Sequence, residues 1–311
     1  LYFSNETDLN ERVRVYAGFF QNSDVRNSPI NQTLDPSQKD FLRDIGGDVR
    51  NAFYPIAVID SFSSDKILYR RIDTLYNGGL SRDSVYVYST DPMNARYRLS
   101  FIEVGQGNGN YVPDFNGANG KVFRWVEPVN GVKQGRFEPA VFLVAPKRQQ
   151  VMNTGMEWKI GRGTRLSAEG AMSLYDVNLY SSKGDEMNRG YAAKGSLLHT
   201  ETLRKGSNKL LWNTEAGWEW VEARFKPLER LRNVEFSRDW GLLLQVEPAN
   251  ERILTAGTGF SDQENNQLNY QMTHYTRGDG FKGWRHTLKH EQKYGSWQFN
   301  NNIMLSQMDA K

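Results

Sequence analysis

From residue 148 to residue 307 the chain repeats one pattern: a run of roughly ten alternating polar and apolar side chains, a turn, then another such run. In Arg165–Tyr175, Leu166, Ala168, Gly170, Met172 and Leu174 share one face, and Arg165, Ser167, Glu169, Ser173 and Tyr175 share the other. A period of two is the signature of a β-strand with one apolar and one polar side. The pattern predicts strands near 149–160, 164–178, 190–203, 209–225, 240–247, 251–262, 266–277, 283–294 and 297–307, nine in all. The turns are short at Gly161–Gly163 and Lys205–Asn208 and longer at Tyr180–Arg189 and Lys226–Asp239. Long strands joined by alternating short and long connections form an antiparallel meander. Within 209–225 the apolar face switches from Leu210, Trp212, Ala216, Trp218 and Trp220 to Val221, Ala223 and Phe225, which predicts a bulge near Val221.

The first half alternates in shorter pieces. Arg12–Phe20 reads as a strand, and others follow near 54–61, 67–76, 83–89, 95–104, 121–126 and 140–145. One helix is predicted, over Pro36–Ile45. Asp35 caps it, Pro36 takes the first helical position, Gly46 and Gly47 stop it, and Phe41, Leu42 and Ile45 form its apolar stripe. Pro146–Gln150 marks the boundary between the halves. Leu1–Asn5 reads as the remnant of a protease-cleavable purification tag and is set outside the fold. The expected organisation is therefore all-β: a β-sandwich-like domain with one short helix over 6–147, then a long antiparallel meander over 148–311. The meander is expected to be part of an outer-membrane-type barrel or a large sheet, truncated at its C-terminal end.

Composition narrows the chemistry. The chain is polar, with a mean hydropathy of −0.67, yet 13% of its residues are aromatic, which sets it apart from disordered sequences. The 39 basic and 36 acidic residues are interspersed and leave a net charge of +3, so nothing calls for nucleic acid. There is no cysteine, which excludes disulfides, thiolate metal sites and a cysteine nucleophile. No run approaches the ~20 apolar residues of a membrane helix.

Four histidines remain. His286 and His290 have helical metal-pair spacing, but they lie in an alternating segment, where they sit ~13 Å apart along one strand face. That is too far for one metal. Gly105–Gly109 resembles a phosphate loop, but no helix follows to hold a phosphate. Asp114–Gly120 resembles a calcium loop, with Asp114, Asn116 and Asn119 as its candidate ligands, although its glycine falls one place late. A plain turn is the simpler reading; no cofactor is expected, and calcium is the one metal in view.

Trp212, Trp218 and Trp220 share one face of one strand. Flat rings of this kind serve as a sugar platform, a sheet core or a girdle at a membrane interface. Glu215 and Glu219 lie on the opposite face, ~13 Å apart along the strand and too far for a glycosidase pair. Asp176, Asp185 and Glu186 reach them only if the fold brings them in.

Several stretches resemble a large, mostly uncharacterised family of outer-membrane and cell-surface β-proteins of Bacteroidetes-type bacteria. They are Val15–Gln21, Val87–Pro92, Val104–Val112, Phe123–Pro128, Gln134–Pro139, Ala145–Gln150, Asn188–Ala192 and Val234–Trp240. These are turn and strand signatures, and the resemblance carries over no active-site residue. It implies an outer-membrane or cell-surface location in a Gram-negative bacterium and a longer natural chain. The partners it implies are other envelope proteins or further segments of that chain, with glycans as another class. The first expectation is a non-catalytic structural or interaction segment of such a protein. The alternatives are a surface carbohydrate-binding β-sandwich and a lyase-like, polysaccharide-degrading β-sandwich enzyme.

Overall fold

The computed structural model describes all residues except 27–31, 77–78, 80, 118, 207–208, 243–246, 263–265 and 310–311. Strands take up 58% of the chain and helices 7%, so the fold is all-β, as the two-residue period requires. In chain order the first strands are β1 (Tyr2–Asp8), β2 (Val13–Ser23), β3 (Phe53–Pro55), β4 (Val58–Ile59), β5 (Tyr69–Tyr76) and β6 (Ser81–Tyr88). Then come β7 (Tyr97–Arg98), β8 (Phe101–Glu103), β9 (Tyr111–Gly117), β10 (Gly120–Trp125) and β11 (Phe137–Phe142). The remaining strands are long: β12 (Arg148–Ile160), β13 (Thr164–Asp176), β14 (Arg189–Arg204), β15 (Leu210–Val221), β16 (Glu251–Asp262), β17 (Gln267–Arg277), β18 (Lys282–Tyr294) and β19 (Trp297–Asp309).

The chain forms two compact units. One holds Arg26–Pro146 with Tyr180–Ser182; the other holds Leu1–Val25, Lys147–Leu179 and Lys183–Lys311. The smaller unit is a β-sandwich. One sheet runs β4-β7-β5-β6, and the other runs β10-β9-β11-β3 with β8 paired to β11. Two buried tyrosines stitch the sheets reciprocally. The Tyr69 hydroxyl on β5 accepts the Phe123 N–H of β10 at 3.0 Å, and the Tyr111 hydroxyl on β9 accepts the Tyr86 N–H of β6 at 2.9 Å. Phe101 stacks on Phe123 between them. Helix α1 (Pro36–Ile45) forms where its signals predict, with a full capping box: the Asp35 carboxylate accepts the Gln38 N–H, and the Gln38 side chain accepts the Asp35 N–H. Its Leu42 is fully buried with Leu34, Ala52 and Leu143.

The larger unit is one antiparallel sheet of ten strands in the order β1-β2-β12-β13-β14-β15-β16-β17-β18-β19. It is open, and no closed barrel forms among the described residues. β2 pairs with β12 from Ser23↔Arg148 to Val13↔Trp158. Beyond the last pair, the Asp24 N–H donates to the Lys147 carbonyl at 2.9 Å and the Lys147 N–H to the Asp24 carboxylate at 3.0 Å. The smaller unit is thus inserted at the tip of a β-hairpin.

Several expectations are corrected. The division at 6–147 fails at its first boundary, because β2 belongs to the long sheet; pairing between residues far apart in sequence leaves no local trace. Leu1–Asn5, set outside the fold, is partly inside it: β1 (Tyr2–Asp8) pairs with β2 over its whole length, since an open edge accepts an extended segment. Among the described residues, 148–309 hold eight strands rather than nine. The predicted strand at 240–247 is absent over 240–242, while 243–246 lies outside the described residues. A second short helix, α2 (Phe236–Asp239), precedes it, and Trp240 closes that helix. The apolar run Trp240–Leu244 looks like a strand, but Trp240 is used as a single buried knob. No bulge sits at Val221. β15 ends there and the chain turns, which explains the switch of faces; the register shift falls between Thr202 and Arg204 instead.

Candidate functional site: the two faces of the ten-stranded sheet

Because residues opposite one another in register share a face, the pairing fixes what each side of the sheet presents. One side carries Val15, Ala17 and Phe19 on β2, and Met152, Met156 and Trp158 on β12. It continues with Leu166, Ala168 and Met172, then Tyr191, Gly195 and Leu197, then Trp212, Ala216, Trp218 and Trp220. Leu254, Ala256 and Phe260 follow, then Leu268, Tyr270 and Met272, and finally Trp284, Leu288, Ile303 and Leu305.

The aromatic residues on this side form two rows. Connections at one end of the strands span 9–12, 161–163, 205–209, 263–266 and 295–296, and those at the other end span 24–147, 177–188, 222–250 and 278–281. Trp158, Trp212, Phe260 and Tyr270 lie toward the first end; Phe19, Tyr191, Trp218, Trp220 and Trp284 lie toward the second. Small and aliphatic residues fill the space between. Trp212 and Trp220 are ~26 Å apart along β15. Between the rows this face carries no Asp, Glu, Lys or Arg among the described residues. Its polar groups are partnered locally: Thr164 Oγ1 meets His199 Nδ1 at 2.8 Å, Tyr270 Oη meets His286 Nδ1 at 2.7 Å, and His274 stacks on Trp284 with ring centres 4.0 Å apart. Among the described residues, nothing covers this face. Leu254 is 48% exposed, Trp218 44% and Trp284 40%.

The opposite side is polar and ordered. Glu169 accepts the Tyr16 hydroxyl at 2.9 Å and the Asn153 amide at 3.2 Å, with Lys194 Nζ at 3.0 Å. Burial disfavours the charged form of Glu169, but Lys194 and Tyr16 outweigh it and hold the carboxyl below its usual range. Burial and the bond to Glu169 push the Tyr16 phenol up to about 12. Long polar side chains lie across glycines: a Cβ on Gly155 would stand 2.3 Å from the Tyr16 ring, and one on Gly257 would stand 2.6 Å from the Glu215 carboxylate.

This polar side is the covered one. After β15 the chain folds back over it. The Lys226 N–H donates to the fully buried Ser173 hydroxyl at 2.9 Å, and the backbone of Arg224 and Phe225 lies so close to Gly190 that no Cβ fits there. Trp240, 2% exposed, rests on Gly283, Tyr275 and Phe281 under the Arg285 guanidinium, whose centre is 4.2 Å from its ring. Burial pushes the Tyr275 phenol up to about 12. Arg232 pairs with Glu219 of β15 and, at 2.9 Å, with Glu251 of β16. Arg277, only 5% exposed at its side chain, pairs with Glu251 and Asp279 at 2.9 and 3.0 Å.

The sequence-derived candidates separate accordingly. Trp212, Trp218 and Trp220 share the bare face, but Trp212 stands in one aromatic row and the other two in the second. Trp212 Nε1 donates to Thr258 Oγ1 at 2.9 Å. Glu215 accepts from Gln271 at 2.7 Å, whereas Glu219 faces Arg232, so the two engage different partners. Asp176 sits beside Arg148 at 3.7 Å, and Asp185 accepts from Asn188 at 3.0 Å. Asp114 and Asn116 lie on β9 and Asn119 in the turn to β10; the Asp114 carboxylate faces Arg124 at 3.7 Å. Among the described residues no three His, Asp or Glu side chains gather to hold a metal. The Arg232 and Arg277 pairs were not anticipated, because residue 232 lies in a segment with no strand period. Comparison with protein-family models, curated proteins and solved structures finds no match for this chain.

Proposed function

We propose that the ten-stranded sheet is a stretch of the wall of an outer-membrane β-barrel and has a structural role there, with Trp158, Trp212, Trp218, Trp220 and Trp284 turned toward lipid. The observation that carries this reading is which face is bare. A sheet in water buries its apolar side and leaves its polar side wet. Here the chain folds residues 222–242 over the polar side and, among the described residues, leaves the apolar side open. That inversion suits a sheet whose outer solvent is hydrocarbon and whose inner side faces a polar lumen. The uncharged band between two aromatic rows supports it, because such bands stand about 25 Å tall between aromatic girdles. Among the described residues, β1 and β19 each pair with one neighbour only. In lipid those free edges demand further strands, so the partners of this sheet are further strands of a larger wall.

The test is fluorescence in vesicles whose acyl chains carry bromine. Quenching should be strong for the bare-face tryptophans and absent for a variant that keeps only Trp240 as its fluorophore. A protein that stays monomeric in detergent-free buffer and ignores vesicles would overturn the proposal. Binding of a neutral glycan at Trp218 under those conditions would put carbohydrate recognition in its place.

A further inference from the structure

We propose that residues 226–242 form a strap latched by Arg232, which closes a hollow on the polar face and opens it when Arg232 leaves its two carboxylates. The hollow has a volume of about 510 Å³; Val151, Asn153, Glu169 and Lys194 line it from the sheet, and Pro227 and Leu231 from the strap. The base of the strap is fixed. The Glu222 N–H donates to the Tyr191 carbonyl at 2.9 Å, Lys226 is held by Ser173, and Gln149 donates to the Pro227 carbonyl at 3.2 Å. The far end is fixed by Trp240 on Gly283. Between Leu228 and Glu235, every hydrogen bond and ion pair to the sheet among the described residues belongs to Arg232. That one guanidinium bridges two adjacent strands, with Glu219 on β15 and Glu251 on β16, and lies 5.1 Å from the Phe236 ring. The rest of the span contributes little to its own hold: Leu228, Leu231 and Val234 are all exposed. A bidentate bridge of this kind is charge-assisted and fails as a unit when either side loses its charge. The inference concerns the polar face only and stands whether or not the other face meets lipid.

The test is hydrogen exchange at the amide of Phe236, which donates to the Asn233 carbonyl inside the latched span, in the whole chain with Arg232→Gln, Glu219→Gln and both together. Glu251 is left unchanged because it also holds Arg277. We expect either single variant to speed exchange at this amide by about tenfold or more, the scale of a local opening. The double variant should add little, and the central amides of β15 and β16 should stay protected. Accelerated trypsin cleavage after Arg230 should accompany this. Unchanged exchange in both single variants would overturn the latch. So would equal acceleration in β15 and β16, which would make the bridge part of the sheet's general stability, or fully additive effects, which would mean that the two residues act separately.

Discussion

Removing two tryptophans from opposite faces of one sheet tests the inverted arrangement directly. Trp240 is 2% exposed on the polar side, and Trp218 is 44% exposed on the apolar side. A buried tryptophan removes ~150–250 Å² from water, worth about 4–6 kcal/mol at ~25 cal/mol per Å². Truncation to alanine in well-packed interiors costs about 3–5 kcal/mol. Trp240 also lies under Arg285, a contact worth about 0.5–2 kcal/mol. Trp240→Ala should therefore lose about 4–5 kcal/mol of unfolding free energy. Trp218 has little more than half its surface covered, so Trp218→Ala should lose roughly 2 kcal/mol. Urea unfolding in a mild detergent, followed by far-ultraviolet circular dichroism, measures both. Vesicle binding should respond in the opposite order, with Trp218→Ala weakening it and Trp240→Ala leaving it intact in the folded fraction. If the Trp218 variant proves as unstable as the Trp240 variant, the apolar face is an ordinary core and the membrane reading fails.

Tyr111→Phe should destabilise the sandwich by about 1–3 kcal/mol, because the Tyr86 N–H keeps its burial and loses its acceptor; Tyr69→Phe should do the same to Phe123, and urea midpoints near wild type for both would show that the stitches are dispensable. Glu169 has its carboxyl held below the usual range in the folded state, so its contribution to stability is complete above the unfolded-state value and lost as pH falls through the folded one. Glu169→Gln should flatten that acid limb of the melting-temperature profile, and an unchanged limb would assign it to other carboxylates. Calcium should leave the melting temperature unchanged, since Asp114 faces Arg124; a rise that Asp114→Ala abolishes would restore the loop as a metal site.

Strand positions and faces in the long sheet were legible because an alternation sustained over ten or more residues has no competing interpretation. The helix was legible because Asp35, Pro36 and Gly46 each act within one turn of its ends. What escaped depends on partners distant in sequence. Val13–Ser23 alternates like any strand, and nothing local says that it pairs with Arg148–Trp158. Trp240 through Leu244 has the composition of a strand, but the space over Gly283 makes Trp240 a knob, and that space exists only when β18 lies beneath it. The tryptophan face could be read from the spacing of Trp212, Trp218 and Trp220. That it would stay bare could not, because the period of two looks the same whichever side the chain later covers.

The insertion of the sandwich between Asp24 and Lys147 has a kinetic side. Every other pairing in the long sheet joins strands that are consecutive in the chain, with the 222–250 connection the longest between them, so the meander can zip up strand by strand. β2 alone must find β12 across a loop of more than a hundred residues, roughly thirty times a tight turn. Closing a loop that long costs only about 3 kcal/mol more than closing a turn if the loop is a flexible chain, and less once the sandwich has folded and drawn its own ends together. The small unit should therefore act as a folding clasp: its own folding shortens the search that seats β2. Replacing Arg26–Pro146 with a four-residue turn should leave the finished sheet unchanged and speed its assembly, because the clasp would then be permanently shut.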